Sequence, residues 1–246
     1  MKLGLSNTIR GKVASSRFTP NDISSLIHWY KYDTDISTFF VAGAGNHVVT
    51  EWSDQKGSNH LIDTTTPANT SAYNTAHPKQ DQTTKEVVFD HGADQLDFTS
   101  HLSLGTFSFY MRVAFDDTSF GDFLFEDEAG QNFLKIQSST EARMKISGAR
   151  HDFAIGEALE ADTPYVIGYE RDDTAATTDD RLSIIINGTS LTQSGTGDGT
   201  EVITNTLDIE KIGDPANTIR IKEIVICNNS LSPADRNALI DYLTAL

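Results

Sequence analysis

Five bulky apolar residues, Phe107, Phe109, Met111, Val113 and Phe115, occupy every second position of one short stretch. A period of two sends all five to one face of an extended strand, where a helix would scatter them around its axis. The chain must therefore build a sheet with a deeply buried face. Apolar runs at 28–32, 48–52, 123–125, 133–136, 143–146 and 164–170 predict further strands, set apart by Gly- or acid-containing turns at the spacing of a sandwich. Leu182, Ile184 and Ile186 alternate into Asn187-Gly188, a dipeptide that accepts positive φ at both central positions of a type I′ turn, and Leu191 falls on the return strand. The runs at 207–212 and 219–227 read as a closing strand pair. The apolar phase of the second slips near Lys222-Glu223, which predicts a bulge or burial on both sides.

Helical signals are confined to the two ends of this pattern. Thr19-Pro20-Asn21-Asp22 offers a cap, a Pro at the first helical position and an early acid, enough for one short turn. Ser232-Pro233-Ala234-Asp235 repeats that chemistry ahead of Leu239, Ile240, Leu243 and Leu246, an apolar stripe at helical spacing. The chain is thus expected to close with a helix lying on the sandwich. Residues 43–45 read as a Gly-rich loop, and the Thr-, Asn-, Ser- and Pro-rich segment 57–84 as a long surface connection with at most one edge strand.

At 246 residues a single large β domain over 19–246 is the better expectation than two small ones. Ahead of it, residues 1–18 carry two Lys, two Arg and only spaced apolar residues, Leu3, Leu5, Ile9, Val13 and Phe18. They read as an arm outside the core, ordering on a partner. The net charge of -16 makes nucleic acid a poor partner, since such binding rests on clustered Lys and Arg. It speaks otherwise for solubility rather than for a particular ligand. The lone cysteine, Cys227, excludes an intrachain disulfide and sits in the apolar run Ile224-Val225-Ile226-Cys227, as a small buried hydrophobe would. The start lacks the apolar segment of a secretory signal, and no stretch reaches the ~18 apolar residues of a membrane span. A soluble protein made without export or membrane insertion is expected, which leaves the Asn-x-Ser/Thr matches at Asn69, Asn187 and Asn228 without glycans.

Several segments taken in order resemble the concanavalin A-like lectin/glucanase superfamily, and within it the laminin-G-like sandwiches. They are the opening from Pro20 into Trp29; Trp52-Ser53-Asp54-Gln55-Lys56-Gly57-Ser58-Asn59-His60, similar to that family's Trp-x-Asp-x-x-Gly-x-x-His; Val87-Val88-Phe89-Asp90; the stretch from Leu182 to Gly188; and Glu223-Ile224-Val225-Ile226 with Leu231-Ser232-Pro233. The resemblance covers 19–246 and implies an antiparallel β-sandwich of jelly-roll type, with Trp29, Trp52, Asp54, Gly57, Phe89, Asn187, Gly188 and Glu223 as its structural motif. It departs from the family at His91-Gly92, where Gly more often follows the Phe directly. It specifies a fold and no activity. The arm ahead of such a sandwich is similar in turn to small structural proteins of marine tailed phages, including those of cyanobacteria. That second resemblance implies a virion component, a head decoration or tail appendage, assembled in the host cytoplasm and oligomeric in the particle.

Each candidate for chemistry has a plainer competitor. Glu126-Asp127-Glu128 suggests a retaining glycosidase, whose two carboxyls stand ~5 Å apart, but the family spacing Glu-x-Asp-x-Glu or Glu-x-Asp-x-x-Glu is missing and Ala129-Gly130 follows, as in a solvated turn. Asp116-Asp117, Asp172-Asp173 and Asp179-Asp180 lie at strand ends, where laminin-G-like domains can hold calcium; calcium wants 6 to 8 oxygens, and turn-forming Asp explains the pairs as well. His47 with His60, or His91 with His101, could meet near one loop end, without the spacing of a metal site. The run Ser194-Gly195-Thr196-Gly197-Asp198-Gly199 opens no helix and reads as a turn. Trp29, Trp52, Tyr30, Tyr32 and Tyr73 could stack sugars, although the two Trp hold core positions in the resemblance and Tyr73 is the better exposed candidate.

The expectation at this point is a non-enzymatic virion structural protein, docked to capsid or tail through its arm and to other virion proteins, with no cofactor beyond a possible calcium. The alternative is a carbohydrate-binding module for a host-surface polysaccharide. A glycosidase is third.

Overall fold

The computed structural model describes residues 18–32, 35–41, 46–64, 77–90, 94–117, 121–175, 181–196, 204–213 and 217–246. They form an antiparallel β-sandwich with a short C-terminal helix packed on its outside. The first half of the chain supplies β1 (Leu26–Tyr30), β2 (Ile36–Val41), β3 (Asn46–Trp52), β4 (Leu61–Ile62), β5 (Lys79–Gln80), β6 (Val87–Phe89), β7 (Gln95–Leu104), β8 (Phe107–Phe115) and β9 (Asp122–Glu126). The second supplies β10 (Phe133–Ser138), β11 (Glu141–Ile146), β12 (Ala149–Ala154), β13 (Tyr165–Arg171), β14 (Leu182–Ile186), β15 (Thr189–Ser190), β16 (Thr192–Thr196), β17 (Leu207–Gly213) and β18 (Ile219–Cys227). The helix is α1 (Pro233–Thr244), and a 3-10 turn at Pro20–Asp22 precedes β1. Among the described residues no helix is long and apolar enough to cross a membrane.

One sheet runs β14–β13–β8–β18, and the far edge of β18 is shared between β6 and β1. The other runs β4–β7–β17–β9–β10–β11–β12–β16. β3 joins the two rims, pairing at its start with β5, which leads to β6, and at its end with β4. β2 lies along β3.

The five alternating residues of β8 all point between the sheets and are buried there. Phe109 meets Phe125 of the opposing sheet at 5.0 Å between ring centroids. Burial of such side chains contributes roughly 1.5–3 kcal/mol apiece. The other face of β8 is buried too, because Tyr110 joins Val166, Ile185, Val225 and Cys227 beneath Leu239, Ile240 and Leu243 of α1. Alternation alone could not announce this second buried face, since Ser108, Tyr110, Arg112 and Ala114 are small or amphipathic. Tyr110 lies so close over Gly168 that a Cβ there would stand 2.3 Å from its ring, so only glycine fits beneath it.

Helix α1 begins at the expected Ser232, whose Oγ accepts from Asp235 N at 3.1 Å. Three contacts then hold it to the sheet. Arg236 pairs with buried Glu170, the Tyr242 hydroxyl donates to Glu223 Oε1 at 2.7 Å, and Arg112 Nη1 donates to the carbonyls of Leu243 and Thr244, each at 3.0 Å. The last of these satisfies carbonyls that a helix end leaves without partners.

The slip in β18 is a bulge: the register against β8 shifts between Ile221 and Glu223. Ile219 and Ile221 before it, and Ile224 and Ile226 after it, consequently all reach the inner core, while Val225 and Cys227 turn toward the helix. The Asn187-Gly188 hairpin is also as expected, with φ of 48° and 84°.

Other expectations are corrected. The first strand is Leu26–Tyr30 rather than 28–32, and 48–52 is the end of a longer strand that is third in order. β2, β7 and β12 were not anticipated: Phe39-Phe40-Val41 in β2 does not alternate, Ser100 interrupts the alternation of β7, and Phe153 is the one large apolar residue of β12. The 57–84 connection contains two strands, β4 and β5. The runs 207–212 and 219–227 are not a pair: β17 bonds to β7 and β9 in one sheet, and β18 to β8, β6 and β1 in the other.

Candidate functional site

The motif Trp52 to His60 folds around Asp54. Asp54 Oδ1 accepts from the amides of Trp29 (3.0 Å) and Lys56 (2.9 Å), and its Oδ2 lies 2.8 Å from His28 Nδ1. Burial alone would raise this carboxyl's pKa, but the hydrogen bonds from His28 and from the amides of Lys56, Trp29 and Gly57 outweigh it and hold it below the ordinary range. His60 Nδ1 accepts from the Asp54 amide at 3.1 Å. Gly57 is required by contact, since a Cβ there would fall 2.8 Å from Asp54 Oδ2. The motif spends its polar atoms on the turn itself.

The aromatic residues divide in the same way. Trp52 is fully buried and donates to the Lys31 carbonyl, Trp29 is buried and donates to Glu223, and the buried Tyr30 hydroxyl donates to the Asn59 carbonyl. Phe89 is also core. Tyr32 is half-buried under Lys222, whose Nζ is 4.9 Å from the ring centroid. The sugar-stacking set does not assemble, and Tyr73 lies outside the described residues. Leu3, Leu5, Ile9 and Val13 lie outside them as well. Phe18, the last apolar residue of the expected arm, packs against Tyr242 of α1 with ring centroids 6.3 Å apart.

Glu126, Asp127 and Glu128 take three separate positions. Glu126 ends β9, buried, and pairs with Lys211 at 3.0 Å. Asp127 is buried and accepts from Gln131 N, Asn132 N and Asn132 Nδ2, which closes the turn. Glu128 is exposed. The expected solvated turn is thus corrected at its first two residues, and no facing pair of carboxylates is formed.

The other candidates disperse. Asp172 caps its own turn through Thr174, Asp116 pairs with Arg220 at 2.9 Å, and Asp179-Asp180 lies outside the described residues. His47 packs at a tilt against Phe40 while His60 serves Asp54, and exposed His101 lies 3.3 Å from Glu210, with His91 outside the description. Among the described residues no three His, Cys, Asp or Glu side chains converge as a metal site would need. Burial pushes the Cys227 thiol up to about 12, as suits an inert core residue.

A concave site does exist, at an edge of the sandwich that no motif marked. The segment after β12 folds over the β14–β15 hairpin and leaves a pocket of about 390 Å³. Ile155, Leu159, Ile186 and Leu191 supply apolar walls, and Glu157, Glu160, Asn187 and Thr189 supply polar ones. Tyr165, at the start of β13, lines it too, and its hydroxyl accepts from the Glu160 amide at 2.7 Å, which fixes the ring. Asn187 is held by its Oδ1, which accepts from Val166 N, and by its own amide, which donates to the Val166 carbonyl, each at 2.8 Å. A second pocket of about 400 Å³ shares Tyr165 and Asn187 and continues toward α1 along Arg112, Pro164, Ile240, Asp241 and Thr244. The two meet at the hairpin tip. Size, apolar walls and a few fixed polar groups are the attributes of a small-molecule site. Of its residues, Ile186, Asn187 and Leu191 stood out in the sequence, and then only as parts of a hairpin. The alternation signals that find strands are silent about strand ends.

No family model and no curated protein matches the chain. Solved structures do match in fold. Trypanosoma rangeli sialidase in complex with sialic acid aligns with a TM-score of 0.53 at 12% identity, over 89% of this chain and 33% of that one. The same enzyme in complex with 2,3-difluorosialic acid, as a covalent intermediate, gives 0.55 at 12% identity over 96% and 35%. A structure of botulinum neurotoxin type C, described by its interaction with two ganglioside molecules, gives 0.46 at 14% identity over 89% and 51%. The chain spans about a third of the length of the sialidases it matches. The likeness establishes an all-β sandwich fold. It also corrects one expectation: the reading of this chain as no enzyme does not stand, because structures that share its fold are sialidases, which are enzymes.

Proposed function

We propose that this chain is a carbohydrate-binding β-sandwich that holds a terminal sugar of a surface polysaccharide in the pocket around Tyr165 and Asn187. The observation that carries the proposal is the composition of that pocket: an aromatic ring locked by its own hydroxyl, beside apolar walls and an immobilised amide. A pyranose presents both an apolar face and a ring of hydroxyls, so it needs this combination. The fold likeness to sialidases with a bound sugar supports the reading by analogy of architecture alone.

The test is a titration of the full chain with a panel of bacterial and animal surface glycans, read by calorimetry, with and without calcium. Saturable binding of at least one glycan, lost in Tyr165→Ala while the variant remains folded at the assay temperature, is the expected result. Silence across the panel, or binding untouched by Tyr165→Ala, overturns it. Assay of the same mixtures for released sugar measures hydrolysis directly.

A second reading concerns where the domain works. We infer attachment to a larger assembly such as a virion through residues 1–17, supported by the spacing of Leu3, Leu5, Ile9 and Val13 in an otherwise polar segment ahead of a self-sufficient core. Deletion of 1–17 should leave a folded domain that no longer joins the particle. Continued incorporation would refute it.

A further inference from the structure

The pocket has one sign of charge. Its lining contains two carboxylates, Glu157 and Glu160, and no Lys, Arg or His. Both are exposed, and neither has an ion-pair partner among the described residues. Arg112, which lines the adjoining pocket, donates Nη1 to the carbonyls of Leu243 and Thr244 and shares that pocket with Asp241. Within this pocket's own lining, a ligand carboxylate beside Tyr165 would therefore meet two like charges and no positive one. The surrounding molecule, at a net charge of -16, deepens the same field.

From this we infer that the pocket discriminates sugars by charge: it prefers a sugar bearing a protonated amine over a neutral one and disfavours a carboxylated one, sialic acid included. The inference rests on the reading of this pocket as a sugar site and adds to it the class of sugar. Because both glutamates are exposed, each acts through solvent at about 1 kcal/mol or less, or roughly fivefold in affinity, and salt screens the effect.

Three ligands of one size decide it: a glucosamine trisaccharide in mildly acidic buffer, its N-acetylated counterpart, and a sialylated trisaccharide. The expected order of affinity is amine, then neutral, then carboxylate, with about fivefold between neighbours at low salt and less at high salt. In the double variant Glu157→Gln, Glu160→Gln the ratios should shrink to within about twofold, whatever happens to the neutral affinity itself. A sialylated ligand that binds best, or a charge order that survives in the double variant, would sink the charge inference while leaving the sugar pocket standing. If no ligand of any charge binds, the sugar pocket itself is refuted.

Discussion

Trp29 and Glu223 are joined by a hydrogen bond of 2.6 Å from the indole Nε1 to the carboxyl Oε1, on the side of the first sheet that faces the helix. The two residues are 194 positions apart in the chain, and the same oxygen accepts from Tyr242 of α1. One buried carboxyl thus links the first strand, the last strand and the closing helix. Burial pushes its pKa above the ordinary value, against the hydrogen bonds from Tyr242 and Trp29.

Replacement of Glu223 by Ala should strand both donors in the interior, at a cost of about 1–3 kcal/mol each. Glu223→Gln keeps an acceptor without the buried charge, so it should stay within about 1 kcal/mol of the parent at neutral pH. Urea unfolding of the two variants checks this. Equal losses in both would mean that the negative charge, rather than the acceptor, is what matters.

Glu170 is buried and accepts from Tyr110 at 2.6 Å and from Arg236 Nε at 3.1 Å. Arg236→Met leaves that carboxylate without its counter-charge, which typically costs about 3–5 kcal/mol. The double variant Arg236→Met, Glu170→Gln should recover much of the loss. Thermal melts of the single and double variants give the coupling directly.

Asp94 is buried beside Asp90, whose amide donates to its Oδ2 at 2.9 Å, and burial raises its pKa to about 7. The folded state therefore holds this proton at pH values where the unfolded chain has released it. Its contribution is greatest below the ordinary value of 3.8 and is lost as pH rises to about 7. Asp94→Asn should melt higher than the parent above neutrality, and the gap should narrow as pH falls through that window. A gap independent of pH would assign the effect to packing.

Tyr165→Phe retains the ring but removes the acceptor for the Glu160 amide. Loss of one such bond at a partly exposed site costs about 0.5–1.5 kcal/mol. Sugar affinity should fall about tenfold or less in Phe and vanish in Ala. Equal affinity in Ala and Phe would remove the ring from the site.

The positions of these residues show why part of the fold was legible in sequence and part was not. β8, the Asn187-Gly188 hairpin, the slip at Lys222-Glu223 and the Ser232 cap are local patterns, each fixed by pleat, positive φ or an end of a helix. β7 and β12 escaped because Ser100 interrupts the alternation of Leu96, Phe98, Leu102 and Leu104 in the one, and the buried His151 holds a core-facing position in the other. The Glu126-Asp127-Glu128 run misled because neighbouring residues in sequence met different surroundings, Lys211 for one and its own turn for the next. The pocket went unseen because Glu157, Tyr165 and Asn187 come from three segments that only the closed sandwich brings together.

The sequence by itself determined that this chain makes an antiparallel sandwich closed by a helix, since a period of two and a capped period of 3.6 leave few other ways to bury their apolar faces. Tertiary structure alone decided which sheet each strand joins, that β17 and β18 part company, and that Trp29 and Glu223 meet. It also set two glutamates and a fixed tyrosine around one concave edge. The reason is physical: alternation fixes which way a side chain points along its own strand, whereas what it meets there is set by long-range pairing that no local pattern encodes.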